Sequence, residues 1–174
     1  LAILARINDQ IFSGLYDLKR YFKKDGYMTI SRYLDPHLVL FLEESTRDNV
    51  IAHLIDALDE AGKLINKKKF HAAILDREKI VSTGIGIGVA IPHAKLDGYG
   101  QFFIAIGVLR KKGVDWRALD GQDVRLVFMI GGPEGRQTEY LKILSSLTQA
   151  IKDDDRRKNM IKTTSAQQVI DLLR

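Results

Sequence analysis

The sequence has no cysteine in 174 residues. That excludes disulfides, thiolate metal ligands and cysteine nucleophiles together, and it fits a reducing, cytoplasmic setting. Long apolar runs are missing as well. None approaches the roughly 20 residues needed to cross a bilayer, and the N-terminus lacks a signal-peptide layout. Histidine is scarce. Among the four present, no pair stands at metal-ligand spacing and no Ser-His-Asp set can be assembled, so neither a metal nor another cofactor is expected. There is no internal repeat and no low-complexity tract, and proline occurs only three times.

Charge of one sign is in modest excess, with a net +5. The positive residues fall in short clusters, Lys67-Lys68-Lys69, Arg110-Lys111-Lys112 and Arg156-Arg157-Lys158, the last offset by Asp153-Asp154-Asp155. A nucleic-acid face needs a continuous basic stripe, often with interleaved aromatics. These clusters read as solvated helix ends and turns, so no nucleic-acid partner is expected.

What remains is an ordinary globular composition, 45% apolar and 28% charged, in a chain long enough to bury a core. Residues 1–27 carry Leu4, Ile7, Ile11, Leu15, Leu18 and Phe22 in steps of three and four, one face of a helix that ends at Gly26. Opening on leucine rather than methionine points to a piece of a longer polypeptide. A second unit runs over residues 28–174. His37–Glu44 predicts a strand, Ser45 or Thr46 caps a helix closed by Gly62, and Asn66–Ile80 predicts another helix with Phe70, Ala73, Ile74 and Arg77 on one side. Gly84–Ile91 reads as a glycine-punctuated strand, and Phe102–Leu109 and Val124–Ile130 as central strands covered on both faces. Thr138–Ile151, a short piece at Asn159–Lys162 and a segment capped by Ser165 complete the helices. The fold class is α/β, a single mixed sheet flanked by helices, with an N-terminal extra helix.

The most unusual stretch is GIGIGVAIPHAK, Gly84 to Lys95. A dinucleotide loop would place its glycines after a strand, opening a helix, with different spacing. A spacing of two instead puts Gly84, Gly86 and Gly88 on one face of a strand, where a helix packs tightly or a ligand or backbone approaches closely. Pro92 suits a strand end, so His93 is expected where the strand gives way to a loop. Arg77, Ser82, Thr83 and the glycine N–H groups form a phosphate-compatible neighbourhood around it. His37, His53 and His71 have simpler surface or partly buried readings.

Glu78, six residues, Ile85-Gly86, two residues, then Val89-Ala90-Ile91-Pro92-His93-Ala94 resembles the signature of type-2 enzyme IIA domains. These belong to the bacterial phosphoenolpyruvate-dependent sugar phosphotransferase system, in the fructose/mannitol and nitrogen-regulatory group. The likeness spans about Met28 to Leu173. It implies a phosphocarrier domain in which His93 accepts the phosphoryl group from the histidine phosphocarrier protein HPr or its nitrogen-branch relative. Arg77 stands beside it, and Ser82, Thr83, Gly86, Gly88 and Tyr140 are phosphoryl-binding candidates. The glycines would let the carrier's own site approach. The group then passes to an enzyme IIB domain on another chain, or its presence signals to a kinase, transporter or transcription regulator. Lacking cysteine and membrane spans, the chain is expected to hold neither a IIB domain nor a permease, which favours a stand-alone, nitrogen-regulatory-like role. Two positions depart from the pattern. Tyr140 replaces a second active-site histidine, and a phenol donates a hydrogen bond without becoming cationic. Ile87 stands where a polar residue is common. The helix at 1–27 lies outside the family pattern and is expected to mediate a homodimer or partner contact.

Overall fold

The computed structural model describes residues 30–174. The helix expected over 1–27, its dimer contact and the boundary at Met28 lie outside the described residues. Two tight turns of 3-10 helix, Ile30–Tyr33 and Pro36–Leu38, lead into β1 (Val39–Leu42). Helix α1 (Arg47–Glu60) begins at Thr46, whose hydroxyl accepts the Asn49 N–H. Its stripe of Val50, Ile51, Leu54, Ile55 and Leu58 is buried, each side chain contributing roughly 1.5–3 kcal/mol by leaving water. Helix α2 (Lys67–Ile80) is capped by the Asn66 side chain and buries Phe70, Ile74 and Glu78.

The segment expected as one strand, Gly84–Ile91, is instead a hairpin. β2 (Gly84–Gly86) and β3 (Val89–Ala90) pair antiparallel around a turn at Ile87-Gly88. The reason is backbone conformation. Gly86, Ile87 and Gly88 have φ of 86°, 54° and 72°, a left-handed run that no extended strand contains. The side chain of Asp120 holds the turn by accepting the Ile87 N–H at 2.8 Å.

β4 (His93–Leu96), β5 (Phe103–Leu109) and β6 (Leu126–Pro133) complete a six-stranded mixed sheet in the order β1-β5-β6-β3-β2, with β4 also paired to β6. β3 and β4 lie parallel to β6 in one continuous register: Ala90 faces Val127 and His93 faces Ile130. They form one strand interrupted at Pro92, which has no N–H to give. His93 therefore opens a strand rather than entering a loop. β6 runs on through Gly131-Gly132-Pro133, beyond the Ile130 at which the expected strand ended.

Alternation along β5 and β6 divides the core. Ile104, Ile106, Phe128 and Ile130 pack on α3 (Gln137–Lys152), α4 (Asp154–Lys162) and α5 (Ala166–Asp171). Phe103, Ala105, Val127 and Met129 pack on α1 and α2. α4 is longer than the short piece expected, because the Asp153 side chain caps it by accepting the Arg156 N–H.

Gly88 offers a clean test of the hairpin. A Cβ there would meet only the Asp123 carbonyl oxygen at 3.6 Å, an ordinary contact, so the cost of Gly88→Ala is backbone strain alone. The urea midpoint should fall by the equivalent of about 1–2 kcal/mol, with the denaturant slope unchanged. An unchanged midpoint would contradict the left-handed turn.

Candidate phosphoryl-accepting site

Pro92 interrupts the strand, and the geometry of His93 follows. Adjacent residues of a strand direct their backbone groups to opposite sides. The Pro92 carbonyl accepts the Ile130 N–H on the β6 side, while Ile91 gives its N–H to the Thr83 carbonyl on the other. The Ile91 carbonyl then lies 2.8 Å from Nδ1 of His93. A carbonyl only accepts, so Nδ1 carries the proton and Nε2 keeps its lone pair. Nε2 accepts the Nε–H of Arg77 at 3.2 Å. Arg77 is anchored by a second bond, Nη1–H to the Val81 carbonyl at 2.9 Å, which closes the end of α2.

Electrostatics keep this imidazole neutral. Burial is the largest influence lowering the His93 pKa below its ordinary value, and the charges of Arg77 and Lys95 act the same way. The bond to the Ile91 carbonyl opposes burial, second to it in size and ahead of either cation, and Glu78 adds a smaller push in the same upward direction. The result is a neutral, oriented imidazole whose Nε2 lone pair lies beside the Arg77 guanidinium.

Tyr140, from the first turn of α3, faces it. The His93 and Tyr140 rings lie 5.7 Å apart at 40°. Burial pushes the Tyr140 phenol up to about 12, so it stays neutral near pH 7. Phe102 backs the tyrosine at 6.1 Å, and Gly132 makes room for that ring: a Cβ there would lie 2.2 Å from Phe102.

The other candidates have different partners. Thr83 is buried, and its hydroxyl donates to Glu78 at 2.5 Å while accepting Nε1–H of Trp116 at 3.2 Å. Ser82 donates to the Trp116 carbonyl at 2.5 Å and accepts the Gly84 N–H. Both hydroxyls are thus committed to a buried brace. Glu78 also accepts the Thr83 N–H at 2.9 Å, tying the last turn of α2 to β2 and to the Trp116 loop. Gly88 gives its carbonyl to Arg125 and Leu126, four residues along β6 from Ile130, the partner of His93. That is about 13 Å at strand spacing, so the Gly86–Gly88 turn does not itself reach the histidine. His93, Arg77 and Tyr140 converge; Ser82, Thr83, Gly86 and Gly88 build the scaffold. Lys95 and Trp116 were missed. The signal for Lys95 was present, two residues beyond His93, but becomes readable only once β4 is known to be a strand.

Residues 32–174 match the family described as phosphoenolpyruvate-dependent sugar phosphotransferase system, EIIA 2. The chain belongs to this family. It is 40% identical over 147 residues to the fructose-specific EIIABC component of Bacillus subtilis, covering 84% of this chain and 23% of that protein. The chain thus spans about a quarter of that relative's length. It is 32% identical to the fructose-specific EIIA component of Haloferax volcanii, covering 80% of this chain and 92% of that one. The crystal structure of nitrogen regulatory protein IIA-Ntr from Neisseria meningitidis superposes with a TM-score of 0.77 at 29% identity, covering 83% and 99% of the two chains. EIIA domains are phosphoryl-transfer components, and the fold here is theirs. Among the described residues no helix is long and apolar enough to cross a membrane, and no cluster of metal-ligating side chains occurs.

A depressed histidine pKa has a stability consequence whose sign is fixed. Below the ordinary value of 6.5 the unfolded chain binds a proton that folded His93 resists. The contribution from His93 is therefore fully present above that value and is lost as pH falls through the folded pKa. Stability to urea should decline as pH falls below the ordinary value of 6.5, and His93→Gln should flatten part of the decline. Arg77→Met, followed by NMR titration, should raise the His93 pKa. A titration curve that does not move would separate Arg77 from the imidazole.

Proposed function

We propose that Nε2 of His93 accepts a phosphoryl group from the histidine phosphocarrier protein HPr or its nitrogen-branch relative. The observation that carries this is the fixed tautomer: Nδ1–H is held by Ile91 and the lone pair of Nε2 lies beside Arg77. As the bond from phosphorus to Nε2 forms, the bond to the donor's ring nitrogen breaks and its electron pair returns to that ring. The His93 ring takes on imidazolium character, with Nδ1–H still bound to the Ile91 carbonyl and the nearby carboxylate of Glu78 favouring positive charge. No proton changes hands in this step. Arg77, relieved of Nε2 once its lone pair is used, turns its N–H groups to the phosphoryl oxygens, which bring about two negative charges.

The group then passes to an enzyme IIB domain on another chain. Membership of a family with a similar nitrogen regulatory structure supports a second reading, in which the phosphorylation state controls a kinase, transporter or transcription regulator. Onward transfer to a purified IIB domain discriminates the two.

Incubation with phosphoenolpyruvate, enzyme I and the carrier protein should add one phosphoryl group, acid-labile and alkali-stable, as read by intact mass. His93→Gln should take none. Label retained on that variant, or found on serine, overturns the assignment. Arg77→Met should slow uptake by about one to three powers of ten, corresponding to roughly 1.5–4 kcal/mol in the transition state.

Tyr140 gives an independent check of the same site. With a neutral phenol facing His93, the pH–rate profile should show one titration on the acceptor side in the range of roughly pH 5–8. Tyr140→His should add a second and speed uptake on its acidic side, while Tyr140→Phe should slow uptake modestly. Coincident profiles for all three proteins would mean that the side chain at 140 takes no part.

A further inference from the structure

A second cation, besides Arg77, acts on His93. Lys95 follows His93 by two residues on β4, so both side chains leave the same face, roughly 7 Å apart along the strand. Its Nζ lies 4.8 Å from the centroid of the Tyr140 ring, the ring that faces His93. A π face attracts a cation and positions it without neutralising its charge. Nζ also donates to Oε1 of Gln137, the first residue of α3, at 2.5 Å. That partner is an amide, and among the described residues no carboxylate lies within ion-pairing distance of Lys95. By contrast Lys67, Lys79, Lys111 and Lys158 each pair with a carboxylate. A lysine serving only solubility needs no aromatic platform beside a nucleophile, and here the full charge is kept and held in place.

The need for such a charge comes from Tyr140. A phosphoryl group on Nε2 brings about two negative charges, and a neutral phenol offers one hydrogen bond but no compensating charge. Arg77 supplies one cation. We propose that Lys95 is a second phosphoryl-binding residue, held over the Tyr140 ring so that it and Arg77 flank the group carried by His93. On phosphorylation Nζ leaves Gln137 for a phosphoryl oxygen, exchanging a neutral acceptor for an ionised one. This rests on the proposed function of His93, and only non-covalent contacts of Lys95 change.

The test uses the full chain with Lys95→Met, which keeps the apolar stem over the ring, and Lys95→Arg, which restores the charge. Folding is checked by the urea midpoint. Phosphoramidate serves as a small donor needing no protein partner, alongside the carrier cascade, and intact mass follows uptake and subsequent loss of the group. Loss of a charge-assisted contact should slow uptake by Lys95→Met about tenfold from either donor, with Lys95→Arg recovering most of it. The deficit should shrink as salt is raised, because a charge at a partly exposed site is screened. Uptake and retention by Lys95→Met equal to those of the unaltered protein, from both donors, would overturn this inference and leave the role of His93 standing. A deficit from the carrier alone would also overturn it, since Lys95 would then serve docking. If the unaltered protein takes no group from either donor, both readings fall together.

Discussion

The hydrogen bond from Nδ1 of His93 to the Ile91 carbonyl is the contact on which the rest of the site depends. It decides which ring nitrogen keeps its lone pair, and it is possible because Ile91 directs its backbone away from β6 while the register with β6 continues unshifted. Residue 92 directs its backbone toward β6, where its carbonyl accepts the Ile130 N–H, so an N–H there would only have extended the ladder with β6. The Ile91 carbonyl, directed the other way, serves a side chain two residues on. Orientation of the imidazole thus comes from backbone pairing, and the sheet, with both faces covered, makes that backbone rigid.

Rigidity on the arginine side has a different source. Arg77 sits in the last turn of α2, a place where helices fray. Its sequence neighbour Glu78 is buried and holds Thr83, which in turn holds Trp116, itself fully buried. A carboxylate can be kept inside only when its oxygens are satisfied, and here two donors from Thr83 do so. Removing it would leave the Thr83 N–H without its partner and loosen the joint between α2 and β2. The glutamate of the sequence signature therefore braces the helix end that carries Arg77, without itself bonding to His93.

Much of this was legible in the residues, and what was not has identifiable causes. Central strands announced themselves as apolar runs because helices cover both faces, and Thr46 (beside Ser45) and Ser165 as caps because their side chains satisfy helix N–H groups. The Gly84–Ile91 segment misled because a spacing of two has the period of a strand, whereas the glycines there serve positive φ in a turn. Ser82 and Thr83 looked like phosphate ligands because hydroxyl chemistry does not reveal its partner. Trp116, thirty-three residues from Thr83, had no local signal at all. Long-range partners of short side chains are where pattern reading ends.

Tyr140 shows how one substitution redistributes a charge requirement. A histidine at that place would bring a cation whenever it is protonated, making the site's positive charge depend on pH. A phenol whose pKa is about 12 removes that dependence and leaves the positive charge near His93 to Arg77 and Lys95. The ring contributes in another way, because its face holds the lysine and its edge is backed by Phe102. Phe102 in turn fits only because Gly132 has no side chain. Gly132, near the end of β6, thereby reaches the electrostatics of His93 through two tilted aromatic rings and one ammonium group, a chain of contacts in which every step is steric except the last.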